Sequence, residues 1–177
     1  NLCPVGLEKK LLVAEAQGLL PKIVVPVHFC GQACDMQAIH TLSKRFGFHI
    51  IEDASHAIGG KYKNEPIGNC RYSDITIFSF HPVKIITTAE GGMALTNNPQ
   101  LYEKMNMLRS HGITRDTALM QNEPHGSWYY EQIDLGFNYR MTELQAALGI
   151  SQAARLDAYV AQRHVLAERY NTLLAGL

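Results

Sequence analysis

The chain has 177 residues, of which 46% are hydrophobic and 18% charged, enough apolar material for a packed core. Lys plus Arg and Asp plus Glu both number 16, so the net charge is zero and a basic footprint for nucleic acid is absent. No apolar run reaches the roughly 18 residues of a membrane-spanning helix, and Asn1-Leu2-Cys3-Pro4 lacks the charged and apolar regions of a signal peptide.

Cysteines at 3, 30, 34 and 70 predict reduced thiols, because their spacing does not read as a disulfide framework. Cys30 and Cys34, with His28 and His40, are metal-ligand types in a spacing that fits no common zinc pattern. The simpler expectation is buried thiols at a strand end, with no metal.

The first predicted element is the apolar run Ile23 to Val27, a buried strand. Asp35 is placed to cap a helix that runs to Phe46, with Met36, Ile39, Leu42, Ser43 and Phe46 near one face and Gly47 ending it. A strand from His49 to Glu52 follows, which completes a parallel strand–helix–strand unit. Ile75–Ser79 and Gly92–Thr96 read as the third and fourth strands. The connection between them is short for a parallel crossover, which needs a dozen or more residues and usually a helix, so the fourth is expected to run antiparallel. Asn98-Pro99 opens a helix towards Arg109. Residues 111 to 132 read as a long functional or mobile loop. Thr142-x-x-Gln145 is a capping box, and it predicts one long helix with Leu144, Leu148, Leu156 and Val160 along a structural stripe. Four strands with no closing element imply part of a larger layered α/β domain.

Asp53 and Lys84 each stand just past a predicted buried strand, and ligands in open α/β sheets bind outside such carboxyl ends. A salt bridge or two solvated charges would also fit this placement. Lys84 is flanked by apolar residues, which disfavours its charged form, and a neutral amine is what covalent chemistry at a carbonyl requires. Neither G-x-G-x-x-G nor G-x-x-x-x-G-K-[ST] occurs, so the common nucleotide cradles are missing.

The strings EDASHAIGG (52 to 60), SFHPVKIITTAEGGMALTNN (79 to 98), LRSHGITRD (108 to 116) and LGFNYRMTELQAALG (135 to 149) together resemble the DegT/DnrJ/EryC1/StrS sugar aminotransferase family. Within it they resemble the transaminases on the route to pseudaminic acid. The resemblance implies part of the large domain of a fold-type-I transferase that uses pyridoxal 5'-phosphate, an α/β fold with a mostly parallel sheet and flanking helices. It makes Lys84 the lysine that holds the cofactor and moves the proton. Asp53 would pair with the pyridine nitrogen, His56 would lie beside the ring oxygen, and Ser79 would bind the phosphate. Asn138 would reach the cofactor phosphate of a neighbouring subunit, which makes a cytoplasmic homodimer the expected assembly. Arg115, Tyr139 and Arg140 are candidates for the substrates, a nucleotide sugar and an amino donor such as glutamate. His56 could equally be an ordinary half-buried histidine, Ser79 a strand serine bonded to backbone, and Asn138 a turn residue. His81 and His111 read either as cleft residues or as surface loop histidines. The family's N-terminal phosphate turn, stacking aromatic residue and C-terminal small domain are not found. Residues 1 to 177 are therefore expected to be the latter half of the large domain. The alternative is a truncated, non-catalytic piece or assembly module.

Overall fold

The computed structural model describes residues 1–176. The chain divides into two compact units, Asn1–Leu95 with the chain from Glu143 onward, and Thr96–Thr142.

The first unit opens with α1 (Pro4–Ala16), an element not among those expected from the sequence. Proline occupies its first turn, as in many helix starts. Cys3 at its N-cap gives no side-chain bond, and apolar residues lie all around the helix, so no clean stripe marks it. Only Leu7 and Leu11, one turn apart, are buried. Then come the short strand β1 (Ile23–Val24) and α2 (Met36–Phe46). Asp35 caps α2 by accepting the Ala38 main-chain N–H at 3.3 Å, and Gly47 ends it in the left-handed conformation at φ 75°. The predicted face of α2 is the buried one. Met36, Ile39, Leu42 and Phe46 join Leu7, Leu11, Phe48 and Ile50 in the main core, and each fully buried side chain of this size contributes roughly 1.5–3 kcal/mol.

The strand β2 (His49–Asp53) lies parallel to β1, with Ile23 opposite His49. Beyond it the hairpin β3 (Lys61–Tyr62) and β4 (Glu65–Pro66) turns through Lys63 and Asn64, both at positive φ, as a tight two-residue hairpin demands. The strand β5 (Ile75–Ser79) runs parallel to β2, pairing Asp53 with Ile77. The strand β6 (Gly92–Leu95) returns antiparallel to β5, as expected from the short connection, with Ser79 opposite Gly92. The sheet order is β1-β2-β5-β6, a mixed sheet whose first two pairings are parallel. Strand β1 stops at Val24 and does not reach Val27, which instead makes an isolated bridge to Asp53.

The second unit holds α3 (Pro99–Leu108), capped by Asn98, and the pair β7 (Ile113–Thr114) and β8 (Glu131–Gln132). The segment 111 to 132, expected to be a long functional or mobile loop, thus carries a short strand pair. The main-chain N–H of Gln121 and the Tyr129 hydroxyl both reach the Glu131 carboxylate, at 2.7 Å each, with the Asn122 main-chain N–H at 2.9 Å. These donors hold the Glu131 pKa down at about 2.

The chain returns to the first unit as two helices, α4 (Glu143–Ala153) and α5 (Leu156–Leu173), where the capping box predicted one. The expected stripe also divides. Leu144 is 86% exposed, while Leu156 and Val160 of α5 pack close to Gly59, where an added Cβ would meet Val160 Cγ2 at 2.9 Å.

Candidate functional site

Asp53 ends β2 and Ser79 ends β5, and these neighbouring strands are parallel. Both residues therefore stand at one carboxyl edge of the sheet, where open α/β sheets bind ligands. The chain from Phe80 to Gly91 leaves that same edge and carries Lys84. It is tied by main-chain bonds Phe80 N–H to Gly91 O (2.9 Å), Thr88 N–H to Phe80 O (3.0 Å) and Lys84 N–H to His81 O (2.9 Å). Ile86 and Thr88 are buried beneath it. Thr88 meets α4 at Gly149, where an added Cβ would lie 2.8 Å from Thr88 Cγ2. Lys84 is consequently a half-buried side chain on a fixed loop.

Burial works against the charge of Asp53, but the Ser55 hydroxyl, the Ser55 main-chain N–H at 3.0 Å and the electrostatic influence of the neighbouring His56 and Lys84 side chains outweigh it. Together they hold the carboxyl below its ordinary range. A carboxylate with a depressed folded pKa adds stability above its unfolded pKa, and that stability fades as the pH falls through the folded value. Wild-type protein is therefore expected to lose stability relative to Asp53→Asn across the acid side of the ordinary aspartate range. Denaturant midpoints measured as a function of pH will show this, and a constant offset between the two proteins contradicts it.

Lys84 and His56 line one cleft of about 950 Å³ with Cys30, Gly31 and residues 57 to 61. Its other wall is α5, through Asp157, Val160, Arg163 and His164. The sequence reading assigned α5 no chemistry. The signal it passed over is the helical spacing of 157, 160, 161, 164 and 167, all of which line the cleft.

Beneath Asp53 lies a buried polar cluster that the sequence reading also missed, having weighed His28 only as a metal ligand. His28 is 0% exposed and its Nε2 bonds Glu52 Oε2 at 2.8 Å. The Glu52 carboxylate also accepts the Ser73 hydroxyl at 2.5 Å and the Thr76 hydroxyl at 3.3 Å. The Cys34 main-chain N–H points into His28 Nδ1 at 3.1 Å. Cys34 and Glu52 pull the ring's pKa upward against the effect of burial. A proton on Nδ1 would nevertheless meet the Cys34 N–H head-on, so the ring is assigned as the neutral Nε2–H tautomer. Among the described residues no three His, Cys, Asp or Glu side chains converge as metal ligands do. The thiols also differ from expectation, since Cys34 is buried but Cys30 is exposed.

The first unit thus brings Asp53, His56, Ser79 and Lys84 to one edge. Asn138, Arg115, Tyr139 and Arg140 belong to the second unit. Asn138 is exposed and bridges Ser110, Arg115 lies over the Tyr130 ring at 6.0 Å, and Tyr139 stacks on Phe137 at 4.9 Å. His81 is exposed, 3.8 Å from Glu90, and His111 takes a positive φ in a turn.

Comparison with known proteins settles what this arrangement belongs to. The model of the DegT/DnrJ/EryC1/StrS aminotransferase family matches residues 1–177. The chain belongs to that family. It is 38% identical over 167 residues to the UDP-4-amino-4,6-dideoxy-N-acetyl-beta-L-altrosamine transaminase of Campylobacter jejuni, covering 93% of this chain and 41% of that protein. Among solved structures, Helicobacter pylori PseC, an aminotransferase of pseudaminic acid biosynthesis, superposes with a TM-score of 0.81 at 31% identity, over 91% of this chain and 41% of that one. The PLP form of the Streptococcus pneumoniae sugar aminotransferase Spr1654 gives 0.73 at 31% identity, over 88% and 42%. The chain spans about two fifths of the length of the curated relatives it matches. The α/β fold is that of these aminotransferases.

Proposed function

We propose that this chain is the lysine-bearing part of a pyridoxal-phosphate-dependent transaminase. The full-length enzyme moves an amino group from glutamate to C4 of a UDP-linked 4-keto-6-deoxy sugar, for nucleotide-sugar biosynthesis of the pseudaminic acid type. On this reading residues 1 to 177 are the latter half of the large domain, and the enzyme is a cytoplasmic homodimer. The observation that carries the proposal is the placement of Asp53 and Lys84 at one sheet edge, with Lys84 and His56 on a single cleft.

The donor set suits the cofactor. Lys84 supplies an amine for its aldehyde, and Asp53, held ionised, supplies a partner for a protonated pyridine nitrogen. When bound, pyridoxal phosphate supplies an electron sink for the carbon that loses its proton. Lys84 then carries that proton on Nζ and returns it, acting as base and acid in turn. His56 takes the ring oxygen and Ser79 the phosphate, while Asn138 reaches the phosphate in the partner subunit's site. Arg115, Tyr139 and Arg140 serve the substrates, for arginine matches carboxylate and diphosphate oxygens in pairs.

The full-length protein loaded with pyridoxal phosphate is expected to convert glutamate to 2-oxoglutarate in the absence of sugar. Adding the UDP-linked ketone should then give one amino sugar per turnover. Failure of the first half with glutamate but success with another amino acid would replace the donor. Failure of the second half with an intact first half would replace the acceptor.

A further inference from the structure

A histidine that meets a ligand as a neutral ring offers either a donor or an acceptor. The bond made by its other nitrogen decides which. His56 has such a bond. The Cys30 main-chain N–H donates to its Nδ1 at 3.3 Å, so that nitrogen carries no proton and the proton belongs on Nε2.

The element that supplies this N–H is unusually constrained. Cys30 and Gly31 take consecutive left-handed conformations, at φ 53° and 82°. This is uncommon for a residue with a side chain, and strain of this kind persists only where the surroundings hold it. Here they do so at both ends of the turn. His28 donates its main-chain N–H to Asp53 O at 3.0 Å, and its ring bonds Glu52. Cys34 gives its N–H to His28 Nδ1, and its thiol reaches Val27 O at 3.2 Å. Between these anchors the turn touches His56 in three ways. Phe29 packs its ring 5.9 Å from the imidazole, Cys30 donates to Nδ1, and Gly31 approaches so closely that an added Cβ would sit 3.0 Å from His56 O. The buried His28–Glu52 pair, which no step of the proposed chemistry uses, therefore braces the support of a residue that lines the Lys84 cleft.

We propose that the His28–Cys34 turn is a positioning element that fixes His56 as the Nε2–H tautomer. The cleft then presents a donor at this point and selects a bound group that offers it an acceptor oxygen. The tautomer stands on the geometry alone. Identifying the acceptor with the ring oxygen of pyridoxal phosphate rests on the function proposed above.

The two parts are tested separately. The full-length protein is labelled with 15N-histidine and studied without cofactor, at a pH above the ordinary imidazole range. Long-range proton–nitrogen spectra, with His56→Gln to identify the signals, are expected to show a bare Nδ1 and a protonated Nε2. Cys30→Ala keeps the main-chain N–H and should leave the pattern unchanged. A proton on Nδ1, or equal averaging of the two forms in the wild type, overturns the proposal. Gly31→Ala in the full-length protein loaded with pyridoxal phosphate should raise the pH midpoint of the bound cofactor's visible band by about one unit, a tenfold change in its proton affinity. An unmoved midpoint, in a variant that has lost the tautomer and still binds cofactor at Lys84, overturns the selecting role.

Discussion

Lys84→Ala is expected to abolish transamination in the full-length protein, by roughly 10³-fold or more, and to leave its stability nearly unchanged. The magnitude follows from removing the only residue given two tasks, covalent capture of the cofactor and proton transfer, the second of which alone is worth about 10²–10⁴-fold. Stability should survive because the loop does not hang on the lysine side chain. Main-chain bonds at Phe80, Thr88 and Lys84 and the buried Ile86 and Thr88 hold it in place. Turnover within tenfold of wild type would remove Lys84 from the chemistry.

Glu52→Leu is expected to be among the most damaging single changes to stability, although Glu52 is given no contact with cofactor or substrate. Its carboxylate serves a fully buried imidazole and two hydroxyls, and glutamate itself is only 6% exposed. A buried donor left without its acceptor typically costs about 1–3 kcal/mol, and Glu52→Leu strands the His28 ring N–H together with the Ser73 and Thr76 hydroxyls. Removing both Glu52 and His28 costs less than the sum. Glu52→Leu should therefore lower the urea midpoint strongly, and His28→Leu added to it should cause a further loss smaller than His28→Leu causes alone. The coupling expected is about 1–3 kcal/mol. Additive losses would mean that the two side chains act independently.

The parts legible in sequence were those governed by local rules. Asp35 and Gly47 bound α2 as their chemistry dictates, and the short, helix-free run from Phe80 to Gly91 favoured an antiparallel β6. Asp53 and Lys84 could be placed at one edge because each follows a strand. Other features depend on tertiary contacts that no local rule reports. Helix α1 has no side-chain cap and no stripe, and its helix is supported by the packing of Leu7 and Leu11 in the core. Thr142-x-x-Gln145 marked where a helix starts but could not show that the chain breaks after Ala153, between α4 and α5. The role of His28, weighed only as a metal ligand and set aside as one, stayed hidden because its partner, Glu52, is distant in sequence and becomes its neighbour only when β2 forms. The α5 wall of the cleft escaped notice because its spacing was read as packing alone.

The most direct test of the central claim is borohydride reduction of the full-length protein loaded with pyridoxal phosphate, followed by peptide mapping of every lysine. Reduction makes the covalent link between lysine and cofactor permanent. Label confined to the peptide carrying Lys84 is the predicted result. Label spread over surface lysines such as Lys9 and Lys104, or absent from Lys84, would contradict the assignment.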